Sequence, residues 1–364
     1  MADSAFDYAV CGSSPFATLL AGLLASVHGR SVCLVGDPWS PYRLVRHHDI
    51  AVMPATRPES WALLRSSGAE AVKLIGSIGR GLYERVDPLF VAETPAQASY
   101  LGHMRWMAAG FGLAAERVVD RTITDTGSIC RIRDVPMLVS GKAEPALDAW
   151  VAKAGARRAL PQDTVLAPRR DGSAAITIDG RTVEAAAVVL ADDAAILSLL
   201  PPGDRHRLFE IVPTTSLVTD PAPKPLAAAF VHYLDRGVTL HQRGGKGAVT
   251  AIATGDTDSA DARIGASLSG QGALRRMGRA SFRRIAVADG APLLGRVGKS
   301  RWIVAAGFGD NAAFLAPAVA RHLAGAASDD EGRYFAARDP ARAAQRAAVA
   351  EAATAPASIA EPSA

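Results

Sequence analysis

Cysteine is nearly absent from this chain of 364 residues, which holds only Cys11, Cys33 and Cys130. An odd and small number excludes a disulfide framework and points to a reducing, cytoplasmic setting. No cysteine pair, and no Cys/His cluster, has the spacing of a metal site. Charge of one sign is also scarce: 40 Lys and Arg stand against 36 Asp and Glu, a formal net charge of +4. The basic residues are scattered and are not interleaved with the aromatics, which make up 6%, so nucleic acid is not an expected partner. Long hydrophobic runs are missing too. The apolar run over 16–27 follows a strand and a glycine turn instead of a basic leader, and it is too short to span a bilayer. Neither a signal peptide nor a membrane span is expected. What is present is 49% hydrophobic and 21% charged residues, which suits a globular chain of two domains or two lobes with a sizeable core.

Residues 8–11 form a short apolar run ending at Gly12, a buried parallel strand by pattern. Residues 17–27 read as a helix stopped at Gly29, and 32–35 as a second strand, so the chain opens with a strand–helix–strand unit. Helices are expected over 59–65, 69–78 and 96–111, a strand over about 129–139, and a helix over 145–153 with Pro145 at its start. Strands 174–178 and 182–190 flank Asp179-Gly180, a hairpin turn signal. After Pro201-Pro202 the texture becomes antiparallel, with strands over 227–234, 238–242 and 248–253. A helix over 270–277, a buried strand over 301–306 and a helix over 316–324 follow. From about Arg342 the chain is Ala-rich, and its last dozen residues read as a disordered tail. There is no internal repeat.

The turn after the first strand, Gly12-Ser13-Ser14-Pro15-Phe16-Ala17, has the placing of a dinucleotide loop. Such loops need a first glycine for the tight turn, a second so that backbone N–H groups approach a pyrophosphate, and a third for close helix packing. Gly12 keeps the first position, Ser14 takes the second and Ala17 the third. Pro15 suits a first helical turn. The acid that should meet a ribose at the end of the second strand is replaced by Gly36, with Asp37 one residue later as the candidate. Leu190-Ala-Asp-Asp-Ala194 puts Asp192 and Asp193 where a carboxylate would oppose a phosphate. A strand–helix–strand unit that holds no nucleotide is the alternative reading of these substitutions.

Two later segments carry a resemblance. The first, Ser281-Phe-Arg-Arg-Ile-Ala-Val-Ala-Asp-Gly-Ala-Pro-Leu-Leu-Gly295, resembles the Gly-Leu-Arg-Pro-x-x-x-Asp-Gly-x-Pro-x-Ile-Gly stretch of glycine oxidase and D-amino-acid oxidase. The second, Ala306-Gly-Phe-Gly-Asp-Asn-Ala-Ala-Phe-Leu-Ala-Pro317, resembles the loop that closes the flavin site in the same family, which includes sarcosine oxidase. Tyr42-Arg-Leu-Val-Arg-His-His48 is similar to the Arg-x-x-Arg-His segment that runs along the flavin there.

The resemblance implies an α/β fold: a Rossmann-like FAD-binding domain of discontinuous segments (1–80, 136–205 and 280–330) with an inserted antiparallel-sheet substrate domain (81–135 and 206–279). A tail over 342–364 completes the division. It implies an enzyme that oxidises the C–N bond of an amino acid or secondary amine by hydride transfer to non-covalently bound FAD. Cofactor contacts fall on Gly12, Ser13, Ser14, Pro15, Phe16, Ala17 and Asp37, and on the closing loop Gly307, Phe308, Gly309, Asp310, Asn311 and Ala312. Substrate contacts fall on Arg284, Arg43, Arg46 and His47, because a guanidinium fork matches a carboxylate. His232 or Tyr233 on the inserted sheet would line the substrate face, and strand alternation lets only one point inward. Phe282 stands where a covalent flavin link through Cys occurs, and Phe314 where sarcosine oxidases hold the carboxylate with Lys. A flavin monooxygenase is a further alternative, poorly served by Gly309-Asp310-Asn311. The substituted glycines keep open a non-catalytic subunit of a larger dehydrogenase, or a maturation protein, that works with a partner chain.

Overall fold

The computed structural model describes every residue except 1–5, 53–54, 246, 273, 288 and 345–364. The central parallel strand, Phe6–Cys11, is flanked by Val32–Val35 on one side and Arg181–Leu190 on the other. Outward from these lie Arg157–Ala159 and Trp302–Ala306, and Leu293–Val297 closes the edge antiparallel to Trp302–Ala306. Nearly continuous apolar sequence in these strands follows from burial on both faces. One face packs on the helices Pro15–Ser26 and Ala312–Ala324 around Leu20, Val189 and Phe314. The other packs around Ile196, Val188 and Trp302. Cys11 and Cys33 are buried here, and Cys130 is buried elsewhere, all three with free thiols.

The second sheet has eight strands in the order Arg276–Val287, Phe209–Ala222, Gly247–Thr254, Val238–Gln242, Phe230–Tyr233, Leu89–Ala92, Ser128–Ile132 and Ala115–Val118. It is antiparallel save for one parallel pair, Phe230–Tyr233 with Leu89–Ala92, made across the long sequence gap between the two parts of the insert. The sheet runs on to Val287, past the 206–279 span expected for it, and so carries Arg284. The expected hairpin forms with Asp179 and Gly180 both at positive φ (51° and 74°), the backbone a two-residue turn requires.

Local expectations are corrected at five places. The two helices expected over 59–65 and 69–78 are one, Pro58–Ile78. Gly68 does not break it, because Trp61, Leu64, Ala71 and Ile75 form one buried stripe across it. The strand expected over 129–139 is two, Ser128–Ile132 and Val135–Leu138, divided at Asp134, which adopts a positive φ of 60°. Pro145 lies inside the helix Ser140–Lys153. The carbonyl of Val139 accepts from Lys142 and Ala143, so the first turn closes before the proline is reached. The helix expected over 270–277 is absent. Asp256 caps a helix upstream, Thr257–Ser267, and a long strand begins at Arg276. Finally, Arg342, where the tail was expected to begin, is buried and bonded to Asp289. The last part of the expected tail, 345–364, lies outside the described residues.

Among the described residues no helix is long and apolar enough to cross a membrane.

Candidate functional site

The first helix starts at the C-terminal end of the central strand, where open parallel sheets place ligands. Its N-terminal donors are already engaged. Ser14 caps the helix, its Oγ accepting from Ala17 N–H at 3.2 Å. Pro15 has no N–H to offer. Ser13 N–H donates to Asp192 Oδ2 at 2.6 Å, while Asp192 Oδ1 accepts from Ala195 N–H at 2.8 Å and caps the next helix, Asp193–Leu199. A carboxylate thus sits where a helix N-terminus would otherwise receive a phosphate. Burial pushes the Asp192 carboxyl upward despite these two N–H donors. The end of the second strand is shut as well. A Cβ on Gly36 would lie 2.0 Å from the carbonyl oxygen of Gly12, so no acidic side chain fits there with this backbone. Asp37 instead donates its N–H to Ser13 Oγ and pairs its half-exposed carboxylate with Arg43 at 3.5 Å.

Beyond the loop lies a cavity of about 220 Å³, bounded by Phe16, His47, Asp193, His232, Arg284 and Asp310 among others. A smaller space of about 80 Å³ runs beside Ser13, Pro15, Arg43 and Arg46. Ser14, His47, Asp49, Asp192 and Asp193 line both, so the two form one groove. Strand pairing opposite Val212 puts Arg284 beside it on the wall of the larger cavity. Its NH2 donates to His47 Nδ1 at 3.1 Å and lies 3.7 Å from Asp310 Oδ1, and its Nε lies 3.9 Å from Asp193 Oδ2. Asp310 belongs to the closing loop, a short 3₁₀ turn over Gly309–Asn311 leading into Ala312–Ala324. Gly307 and Gly309 make this turn at φ 74° and 56°, and Ile50 N–H donates to the carbonyl of Asp310. Burial alone would raise the Asp310 carboxyl, but the contact with His47 and the charge of Arg284 outweigh it and hold it at about 2.

His232 faces the groove and Tyr233 the opposite side of the sheet, where Arg236 stacks on its ring, as alternation requires. The His232 ring nitrogen Nδ1 is 2.8 Å from Thr239 Oγ1, and burial lowers its pKa to about 4. His48, behind it, is lowered to about 3, first by burial and then by His241. Both imidazoles are neutral near pH 7. Asp49 moves the other way, raised to about 6 by burial.

The structure therefore gathers Ser14, Phe16, His47, Arg284, Gly307, Phe308, Gly309, Asp310, Asn311 and Ala312 on the larger cavity. Ser13, Pro15, Arg43 and Arg46 line the smaller space. Gly12 packs under the loop, where an added Cβ would lie 2.9 Å from Ala17 Cβ and 3.0 Å from Asp192 Oδ2. Arg46 is exposed and lies over the Phe282 ring at 5.5 Å. Asp37 and Arg43 pair with each other at the outer end. Phe314 is fully buried in the core. Sequence reasoning missed Asp193 and Asp310 as partners of Arg284. The signal was there, two acids at positions where the resembled motifs have small residues. It missed Thr239 altogether, since a strand threonine has no signature. Among the described residues no cluster fit to hold a metal occurs.

No protein-family model matches the chain, and no curated protein matches it by sequence. Solved structures do. The chain superposes on L-proline dehydrogenase from P. horikoshii with a TM-score of 0.71, covering 96% of this chain and 100% of that one at 13% identity. Iminodiacetate oxidase from Chelativorans sp. BNC1 gives 0.66, with 90% and 98% covered at 18% identity. Glycine oxidase from Geobacillus kaustophilus gives 0.64, with 90% and 96% covered at 18% identity. The class is thereby defined at the level of architecture: over 90–96% of its length the chain has the α/β fold of these oxidases and dehydrogenases.

Proposed function

We propose that the protein is an oxidoreductase acting on a C–N bond with non-covalently bound FAD. The observation that carries this reading is the single groove joining the N-terminal loop, the closing loop and Arg284 on a fold of this class. Its frame suits a dinucleotide except at the helix N-terminus, where Asp192 takes the place of a phosphate. The strand–loop–helix stands at the sheet's C-terminal edge, two adjoining cavities lie beside it, and positive-φ glycines stand in the closing loop that lines the larger one. FAD, when bound, supplies the hydride acceptor, and water turns the resulting imine into a carbonyl compound and an amine. This chain's own work is to orient the amine and to exclude water. Phe308, Val212 and Ile252 give an apolar wall, and Arg284 and His47 stand at its polar end. No cysteine is available for a covalent link, since all three are buried and none lies in the C-terminal half. A cytoplasmic setting suits three free thiols.

A second reading is favoured by one specific feature, the closure of the loop by Asp192 and Gly36. In that reading the chain keeps the fold, binds FAD weakly or not at all, and serves a partner protein. The visible absorption of the purified chain, with and without added FAD, separates the two. The first reading expects a stoichiometric flavin spectrum. If wild type is colourless, Asp192→Asn decides. The amide oxygen can still cap Asp193–Leu199, but the amide nitrogen cannot accept from Ser13 N–H, which is left for a phosphate. FAD affinity is then expected to rise about tenfold or more. Wild type and Asp192→Asn both colourless at saturating FAD would rule out the enzyme reading.

A further inference from the structure

We propose that the groove selects a small cationic amine without a free carboxylate, bound through Asp310, in preference to an amino acid. The inference rests on the C–N-oxidising reading and narrows its substrate class.

Each arginine on which a substrate carboxylate was expected is engaged within the chain. Arg284 lies between Asp310 at 3.7 Å and Asp193 at 3.9 Å. Asp193 is fixed there, because its Oδ2 also accepts from Ile285 N–H on the same strand as Arg284. Arg43 is paired with Asp37, and Arg46 lies on Phe282 at the exposed rim. A ligand carboxylate entering the cavity would have to displace two aspartates from Arg284 while facing both of them.

The charge around the cavity points the same way. Asp49, Asp192, Asp193 and Asp310 line it against a single arginine, Arg284. Of the two histidines on the wall, His47 and His232, the second is neutral near pH 7 because of its burial. A surplus of carboxylates around a small cavity raises the local concentration of cations and repels anions.

Asp310 supplies the specific contact. Asp310 is one of the residues that line the cavity; its side chain is only 8% exposed, and its buried Oδ1 receives no hydrogen bond. His47 Nδ1 accepts from Arg284, a donor only, and stands 3.4 Å from Asp310 Oδ1 without a hydrogen bond to it in this geometry. A buried carboxylate oxygen without a donor is costly unless a ligand provides one. An ammonium group carries two or three N–H donors and a matching charge. The volume of about 220 Å³ and the Val212, Ile252 and Phe308 side chains suit a compact alkyl group on that nitrogen.

The test uses matched pairs that differ by one carboxylate: pyrrolidine against proline, and isobutylamine against valine, both enantiomers of each acid. Binding to the full-length purified protein is measured by titration calorimetry near pH 7.5, and flavin content is read separately from the visible spectrum. The expected result is amine binding tighter than that of either acid by about tenfold or more. Asp310→Asn should weaken amine binding by a similar factor, and Asp193→Asn, which releases Arg284 from one partner, should move the ratio toward the amino acid. Amino acids binding as tightly as amines, or no binding of either amine, would overturn the inference. So would unchanged amine affinity in a folded Asp310→Asn protein. If that variant does not fold, the wild-type ratio and Asp193→Asn still decide. A colourless protein that prefers amines would keep the site and lose the redox reading. A yellow protein that prefers proline would do the opposite.

Discussion

Asp49 shows how burial at the site enters the stability of the fold. The residue is 4% exposed at the back of the groove, and its carboxyl is raised from 3.8 to about 6. Burial is the main cause; the nearby Asp310 charge adds to it, and His47 partly offsets it. The folded chain therefore holds this proton more tightly than the unfolded chain does. The stabilising contribution is complete below pH 4 and disappears as pH rises through 6, above which the buried charge weighs against folding. Asp310 has the reverse dependence, contributing above its ordinary value and losing that contribution as pH falls toward 2. Asp49→Asn removes the burden without changing volume. It should raise stability at pH 7.5 by about 1–3 kcal/mol and bring almost no gain at pH 4.5, as read by thermal melts at the two values. A variant that melts lower than wild type at pH 7.5 would show that the ionised form makes a contact the fold needs.

At the scale of elements, packing between helices explains glycines that a motif reading leaves aside. Gly22 lies mid-helix in Pro15–Ser26, and a Cβ there would fall 2.1 Å from the Trp150 ring on Ser140–Lys153. The indole thus rests directly on helix backbone. Gly22→Ala improves helix propensity by about 1 kcal/mol but must move a rigid ring, at a cost of about 1–3 kcal/mol for overpacking. A lower melting temperature is expected, and recovery in Gly22→Ala/Trp150→Leu would tie the loss to this contact; a stabilised single variant would contradict it. Such contacts also mark the limit of what sequence patterning reveals. The opening strand–helix–strand was legible because apolar runs and Gly12 punctuate it, and the Asp179-Gly180 hairpin because its turn chemistry is local. The helix over 257–267 was not, since its signal is one capping aspartate, Asp256, in polar sequence. Nor was the parallel pairing of Phe230–Tyr233 with Leu89–Ala92, which joins strands far apart in the chain. The lining of the candidate cavity was legible in the same measure. Motif pointed to Arg284 and the closing loop, which do line it, whereas the carboxylates beside Arg284 were visible only as departures from the motif.

For the whole molecule, the segment after the last long helix works as a strap over the site's outer wall. Arg338 is 1% exposed and stacks on the Tyr334 ring at 3.7 Å, and its carbonyl accepts from Leu294 N–H. Gly295 leaves room for Pro340, whose Cδ would lie 2.5 Å from an added Cβ. Arg342 then spans the Asp289–Pro292 turn, donating to both oxygens of Asp289 at 3.2 and 3.1 Å and to the carbonyls of Ala291 and Pro292 at 3.0 and 2.9 Å. The Asp289-Gly290-Ala291-Pro292 turn in turn braces the closing loop, since Gly307 packs against Pro292 and Ala291. Asp289 thus acts on the groove through backbone support and not by touching its contents. Arg342→Ala removes four hydrogen bonds from a largely buried network, a loss of about 3 kcal/mol by analogy with broken buried pairs. Because the closing loop carries Asp310, the same change should weaken pyrrolidine binding while leaving the circular dichroism of the remaining fold unchanged. Asp289→Ala should cost less, and the double variant less than the sum of the two, with a coupling of about 1–3 kcal/mol in a double-mutant cycle of melts. Strictly additive losses, or amine affinity untouched in Arg342→Ala, would mean that the strap stabilises the chain without setting the geometry of the loop.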